Sequence, residues 1–174
     1  MVTGLLTLID SVRGFVTALQ KPDPAAALPA VEVSLAEDGT VTMTASVKPS
    51  EVRVWHAESL PSSPLGRRDF RMIKGHTPAG PCIPPAILLE DICVNPIIWA
   101  SKKTDAVQRA DGRWEASTVA AKPAAEGVFA GYFLEMKFAA KPKDLVFTSQ
   151  VGMQPMAYPY EGCKTEEQCL GELV

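Results

Sequence analysis

From Val31 onward the sequence alternates apolar and polar residues, and this period of two constrains the fold more than any other feature. Val31, Val33 and Leu35 alternate with Glu32, Ser34 and Ala36, and Val41, Met43, Ala45 and Val47 alternate with Thr42, Thr44 and Ser46. Successive side chains of a strand point to opposite faces, so each segment reads as a strand with one buried face. Glu37-Asp38-Gly39 between them predicts a hairpin turn, because Asp-Gly tolerates positive φ. Lys48-Pro49-Ser50 then turns the chain into a third strand over residues 52–56.

Proline sharpens the reading. The chain has 15 prolines against 12 glycines, and proline is excluded from helix interiors and central strands, so many loops and sheet edges are expected. Further strands are expected at residues 69–74, 96–100, 114–120, 128–138 and 145–152, with a hairpin around Ala110-Asp111-Gly112 and Lys141-Pro142-Lys143 joining the last two. Residues 75–95 form the longest irregular stretch, in which 86–93 can make a turn or two of helix. A chain of 174 residues, 47% hydrophobic and 21% charged, can bury the core of one globular domain. The expected fold is mainly β: an immunoglobulin- or fibronectin-III-like β-sandwich of about seven strands with one N-terminal α-helix.

That helix is predicted over residues 3–20. Val2, Leu5, Leu6, Ile9, Val12, Val16 and Leu19 recur at helical spacing, Leu8 and Phe15 widen the stripe, and Thr3 can cap it. Ser11, Arg13, Thr17 and Gln20 occupy the polar side. Gly4 and Gly14 each weaken an isolated helix by about 1 kcal/mol relative to alanine, so it needs a surface to lie on. A membrane-surface helix carries a strongly basic polar face, whereas this one offers Arg13 and Lys21 alone. It is therefore expected to be a packing helix from a larger body, with its end at Lys21-Pro22-Asp23-Pro24. The apolar stretch is too interrupted for a membrane span and lacks the basic leader of a signal peptide.

Four cysteines, Cys82, Cys93, Cys163 and Cys169, form two sequence-local pairs and are candidate disulfides. Pairing Cys82 with Cys93 would close the proline-rich loop, and pairing Cys163 with Cys169 would staple the tail; three connectivities are open. No C-x-x-C spacing occurs and both histidines are distant, so no metal or other cofactor is expected. A net charge of −3 argues against a nucleic-acid partner.

No catalytic residues are predicted. A hydrolase nucleophile sits on a Gly-x-Ser-x-Gly elbow whose sharp turn exposes the hydroxyl, and no such pentapeptide occurs. His56 and His76 stand singly, without a recognisable serine or cysteine partner. Arg67, Arg68 and Arg71 around Asp69 can fork onto a ligand carboxylate, but Asp69 supplies an internal partner, so a lock is expected. Trp55, Phe70, Trp114 and Phe133 are read as structural core. Tyr132 and Phe133, being adjacent on a strand, must face opposite ways. Tyr158, Tyr160 and Met156 are better placed for an exposed contact, because Pro155 and Pro159 keep the tail extended.

Residues 5–24, Trp55, Arg68-Asp69-Phe70-Arg71, Trp114 and residues 129–135 follow one another in an order that resembles the C-terminal β-domain of the PhoPQ-activated pathogenicity-related family, which includes the autocrine proliferation repressor proteins. The resemblance spans roughly residues 3–155. It implies that residues 1–24 correspond to the last helix and linker of a hydrolase-like body, that 25–155 form the sandwich, and that 156–174 are an extended cysteine-containing tail. The body itself is missing. The resemblance further implies an extracellular or secretory setting, a signalling role and a protein partner, either the hydrolase-like body or a receptor. The resulting expectation is a non-catalytic accessory or interaction domain. The rival is a fragment of an α/β-hydrolase-like enzyme, or a structural subunit of a larger assembly.

Overall fold

A helix-periodic opening followed by strand-periodic segments gives one long helix and then an antiparallel β fold. The computed structural model describes residues 2–61, 68–75, 82, 86–140, 143–157 and 165. Helix α1 runs over Val2–Leu19 and a single turn, α2, over Pro24–Ala27. The strands are β1 (Val31–Leu35), β2 (Val41–Ala45), β3 (Glu51–Glu58), β4 (Ile73–Gly75), β5 (Ile87–Leu89), β6 (Ile92–Val94), β7 (Ala100–Thr104), β8 (Val107–Gln108), β9 (Trp114–Thr118), β10 (Ala130–Phe138), β11 (Leu145–Thr148) and β12 (Gly152–Gln154). Those of four residues or more are β1, β2, β3, β7, β9, β10 and β11, and they carry the expected β-sandwich-like architecture with its N-terminal helix.

The chain forms two compact units. The first comprises residues 1–55, 101–119 and 133–151. It contains a four-stranded sheet of order β1-β2-β9-β8. The β1–β2 hairpin closes as its Asp-Gly dictates: Gly39 adopts φ 89° and the Thr40 amide donates to Asp38 Oδ1 at 2.8 Å. The β8–β9 hairpin turns at Gly112, with φ 85°. In register, Val33 faces Met43 and Met43 faces Ala116. The second sheet has order β11-β10-β3-β7 with β12 also on β10. Within the first unit, β10 pairs β11 with Met136 opposite Phe147 and Phe138 opposite Leu145.

Burial along β10 alternates. Tyr132, Leu134, Met136 and Phe138 are buried while Phe133, Glu135 and Lys137 are half-exposed, the period of two that one covered face produces. The innermost large side chains are Tyr132, Phe129, Met43, Leu134, Met136 and Val41. Trp55, Phe70, Trp114 and Phe133, read as structural core, are of intermediate burial, outside this innermost set. Val41, Met43, Leu134, Met136 and Phe138 fill the interior of the first unit. Less deeply placed, Trp55 stacks on Phe133 (6.0 Å, 11°) and Lys48 Nζ sits 4.9 Å over Trp114.

The second unit comprises residues 56–100, 120–132 and 152–174. Its small sheet has order β4-β6-β5. Residues 86–93, read as helix-capable, are instead the β5–β6 hairpin, and the strand expected from residue 69 begins at Ile73. Ile87, Ile92 and Val94 are β-branched and favour strand, and the turn between the strands is made by Glu90 at φ 53°. Likewise residues 96–99 are irregular and the strand starts at Ala100, and the single strand expected over 145–152 is divided into β11 and β12. Cys93, fully buried on the central strand β6, is disulfide-bonded to Cys82. Cys163 and Cys169 lie outside the described residues, as do His76, Arg67, Tyr158 and Tyr160.

Candidate interaction surface

Sheet edges and helix faces decide where this molecule can meet another. Strand β11 is the outer strand of its sheet, so every second residue turns its N–H and C=O away from β10. At Val146 those groups meet α1: Ser11 Oγ accepts the Val146 N–H and donates to the Val146 C=O, both at 3.3 Å. A single hydroxyl thus stands in for a neighbouring strand. Such an approach requires a slender helix face, and α1 provides one. Gly14 is so close that a Cβ there would lie 3.0 Å from Lys143 O and 3.3 Å from Asp144 O, and Ala18 on the same side is 5% exposed. Lys143 Nζ reaches Asp10 at 3.1 Å and ties the contact at its rim.

The consequence is an inverted helix. A surface helix ordinarily buries its large apolar stripe and exposes its polar side. Here Ser11 and Gly14 meet the sheet edge, Asp10 reaches Lys143 beside it, and Ala18 is buried. Ile9, Val12, Phe15, Val16 and Leu19 are exposed, each at between 43% and 53%. The expectation is a helix packed against a larger body, and over residues 9–19 its apolar stripe is not covered by this chain. A backbone edge selects residues that allow close approach and offer a hydroxyl, and Leu or Ile offers neither. Thr3, expected to cap the helix, already lies inside it.

The half-exposed face of β3 and β10 is a second surface. Glu51 pairs with Lys103 and with Arg53, each at 2.5 Å, and Arg53 also donates to Ser101 Oγ at 3.0 Å. The bond from Lys103, and next that from Arg53, holds the Glu51 carboxyl down at about 2. Burial pushes the Glu135 carboxyl up, opposed by the indole N–H of Trp55 and by Arg53. The Trp55 Nε1 is itself buried and makes no hydrogen bond of acceptable geometry among the described residues, so Glu135 senses its dipole rather than a closed bond. Lys137 and Asp144 pair at 2.8 Å. These ion pairs engage one another, which marks a structural, solvated face.

The Arg-Asp-Phe-Arg segment forms the internal lock expected from its charges. Arg71 Nε and Nη2 fork onto Asp69 at 2.8 and 2.7 Å, Asp69 is buried, and Asn95 Nδ2 donates to the Arg71 carbonyl at 2.8 Å. Arg68 donates to the Met156 carbonyl at 2.9 Å and lies 5.3 Å over the Phe129 ring, while Phe70 rests on Trp99 at 5.7 Å. In the same unit a depression of about 420 Å³ is lined by Lys122, Pro123, Glu126, Val128 and Pro155 among others, with no serine, cysteine or histidine in its described lining. His56 is exposed on β3. Among the described residues no cluster of three or more metal-ligating side chains occurs, and no helix is long and apolar enough to cross a membrane.

No family model, curated protein or solved structure matches the chain. The resemblance named above therefore rests on its own motifs. Sequence periodicity located the α1 stripe, but it shows two helix faces without saying which meets the sheet. The overlooked signal is Ser11, Gly14 and Ala18, small residues at spacings of three and four opposite the apolar stripe.

Proposed function

We propose that this protein is a non-catalytic interaction domain that binds a protein partner through the outward apolar face of α1. The observation that carries the reading is the inverted docking of the helix: Ser11 and Gly14 meet β11, and the large apolar side chains face away. Five exposed apolar side chains on one helix face are a contiguous patch of the kind that marks interaction sites. An amphipathic helix laid against another apolar surface is a recurrent mode of protein recognition. The Cys82–Cys93 bond supports an oxidising compartment, extracellular or secretory, as the setting. A hydrolase-like body or a receptor, as the family resemblance implies, would meet the same requirement of an apolar protein surface.

The test replaces Phe15 with the photo-crosslinking residue benzoylphenylalanine in the cells that make the protein, with a second copy of the experiment at exposed Lys102 on β7. Irradiation is expected to give a protein adduct from position 15 and none from position 102. Absence of any adduct from position 15 would overturn the reading.

A further inference from the structure

We infer that the free edge of β1 takes an extended peptide segment of another protein as an added antiparallel strand. The segment has apolar residues at alternate positions and basic residues between them. This is a second surface, independent of the α1 face. Ser46 N–H donates to Ala30 C=O and Ala36 N–H to Thr40 C=O, both at 2.9 Å, across the β1–β2 hairpin. Hydrogen-bonded pairs recur at every second residue of an antiparallel ladder, so Glu32 and Ser34 also turn their backbone groups toward β2. Val31, Val33 and Leu35 therefore turn theirs outward, at the end of the sheet order, and no described residue takes them.

The same residues leave the core face open. Val33 lies opposite Met43 and Leu35 opposite Val41, both fully buried on β2, yet Val33 is 42% exposed and Leu35 37%. One more strand would cover them. Outer strands are ordinarily protected by a covering element, by lysines or by brevity, and the other edges here are. Strand β11 is closed by α1, β7 carries exposed Lys102 and Lys103, and β4, β5 and β8 have three residues or fewer. The five residues of β1 have no lysine, no proline and no cover among the described residues.

Each feature of the edge selects one property of the occupant. Outward N–H and C=O groups on alternate residues require an extended backbone, whose main chain supplies the affinity. The open apolar row requires apolar side chains two residues apart. Residues 31–38 carry Glu32, Glu37 and Asp38 and no basic residue. Arg113 holds Glu32 Oε2 at 2.6 Å, and Oε1 of this exposed side chain has no bond among the described residues. In antiparallel alignment a basic residue between the apolar ones faces Glu32, and one ahead of them passes beside Glu37 and Asp38. Size decides against a second folded copy. Standard interfaces take roughly 20–30 residues from each side, and β1 offers five.

The probe is the peptide acetyl-Lys-Val-Thr-Val-Lys-Val-Gly-Lys-amide, titrated to about 1 mM into the isotopically labelled full chain and followed by amide NMR. Saturating shifts are expected at Val31, Val33 and Leu35, with slowed amide exchange there. Methylating the nitrogens of the three peptide valines, which face β1, is expected to weaken binding by at least about tenfold. Methylating the threonine and the second lysine, whose nitrogens face away, is expected to change affinity by less than about threefold. Val33→Pro removes an outward N–H and no ladder bond; it is expected to weaken binding as the valine methylation does, with circular dichroism confirming the fold. Should that variant fail to fold, the two methylated peptides still decide. Absence of shifts along β1, or equal weakening by both methylated peptides, overturns the inference. Shifts there that grow with protein concentration, without peptide, give the edge to a second copy and overturn it as well.

Discussion

Ser11 and Val146 are 135 residues apart in sequence, yet one serine hydroxyl satisfies both backbone groups of the valine at 3.3 Å. The outer strand of the five-stranded sheet is thereby closed by a side chain on a helix.

Ser11→Ala should cost about 1–2 kcal/mol, because it leaves a half-buried N–H and C=O at Val146 without a protein partner. Thermal melts monitored by circular dichroism give the magnitude, and amide exchange should speed at Val146 more than at Met136. An unchanged melt would mean that water replaces the hydroxyl at no cost.

Gly14 separates local propensity from tertiary contact. Alanine is the better helix former by about 1 kcal/mol, yet its Cβ would stand 3.0 Å from the Lys143 carbonyl oxygen. Gly14→Val, which adds bulk at the same point, should lower stability by about 1–3 kcal/mol and raise proteolytic sensitivity at residues 9–19. A more stable variant would show that the helix lies further from β11 than described.

Glu135 governs a pH dependence. Burial raises its folded pKa above the ordinary 4.5, so its protonated form is favoured in the fold. The associated stability is fully present below 4.5 and is lost as pH rises through the higher folded value. Glu135→Gln should therefore gain stability relative to wild type at pH 7, with the gain vanishing near pH 3. Denaturant titrations at both values read the difference, and an equal effect at both would assign it to packing.

The disulfide closes a short loop, Cys82 to Cys93, with a sequence separation of 11. Replacing both residues by serine should destabilise by about 2–3 kcal/mol on the chain-entropy account, and exchange should accelerate first in β5 and β6. Because Cys93 is fully buried, reductant is expected to act slowly under native conditions. Rapid, stoichiometric release of thiols in folded protein would contradict that placement.

Several parts of the fold were legible because one residue type answers one physical demand. Asp38-Gly39 announced a turn that only positive φ could make, and the adjacent rings Tyr132 and Phe133 had to divide between two faces. The β5–β6 hairpin was hidden because Ile87-Leu88-Leu89 is an apolar run without period, and because Glu90, not a glycine, takes the positive φ. Ring size suggested Trp55 and Trp114 for the core, yet indoles with a polar N–H sit less easily in an interior that Met43, Leu134 and Met136 fill with apolar atoms. The candidate surface was half legible. Periodicity found the stripe of Ile9, Val12, Val16 and Leu19, but its direction depended on a strand edge more than a hundred residues away.

The slender face of α1 bears on solubility as well. A bare outer strand is a template on which other chains can add their own strands, and β11 would become one whenever the helix lifts away. Changes at Ser11, Gly14 or Ala18 would then be felt first as aggregation, before any loss of the β fold itself. One helix thus guards against indiscriminate strand pairing with one side while the other side admits a chosen contact.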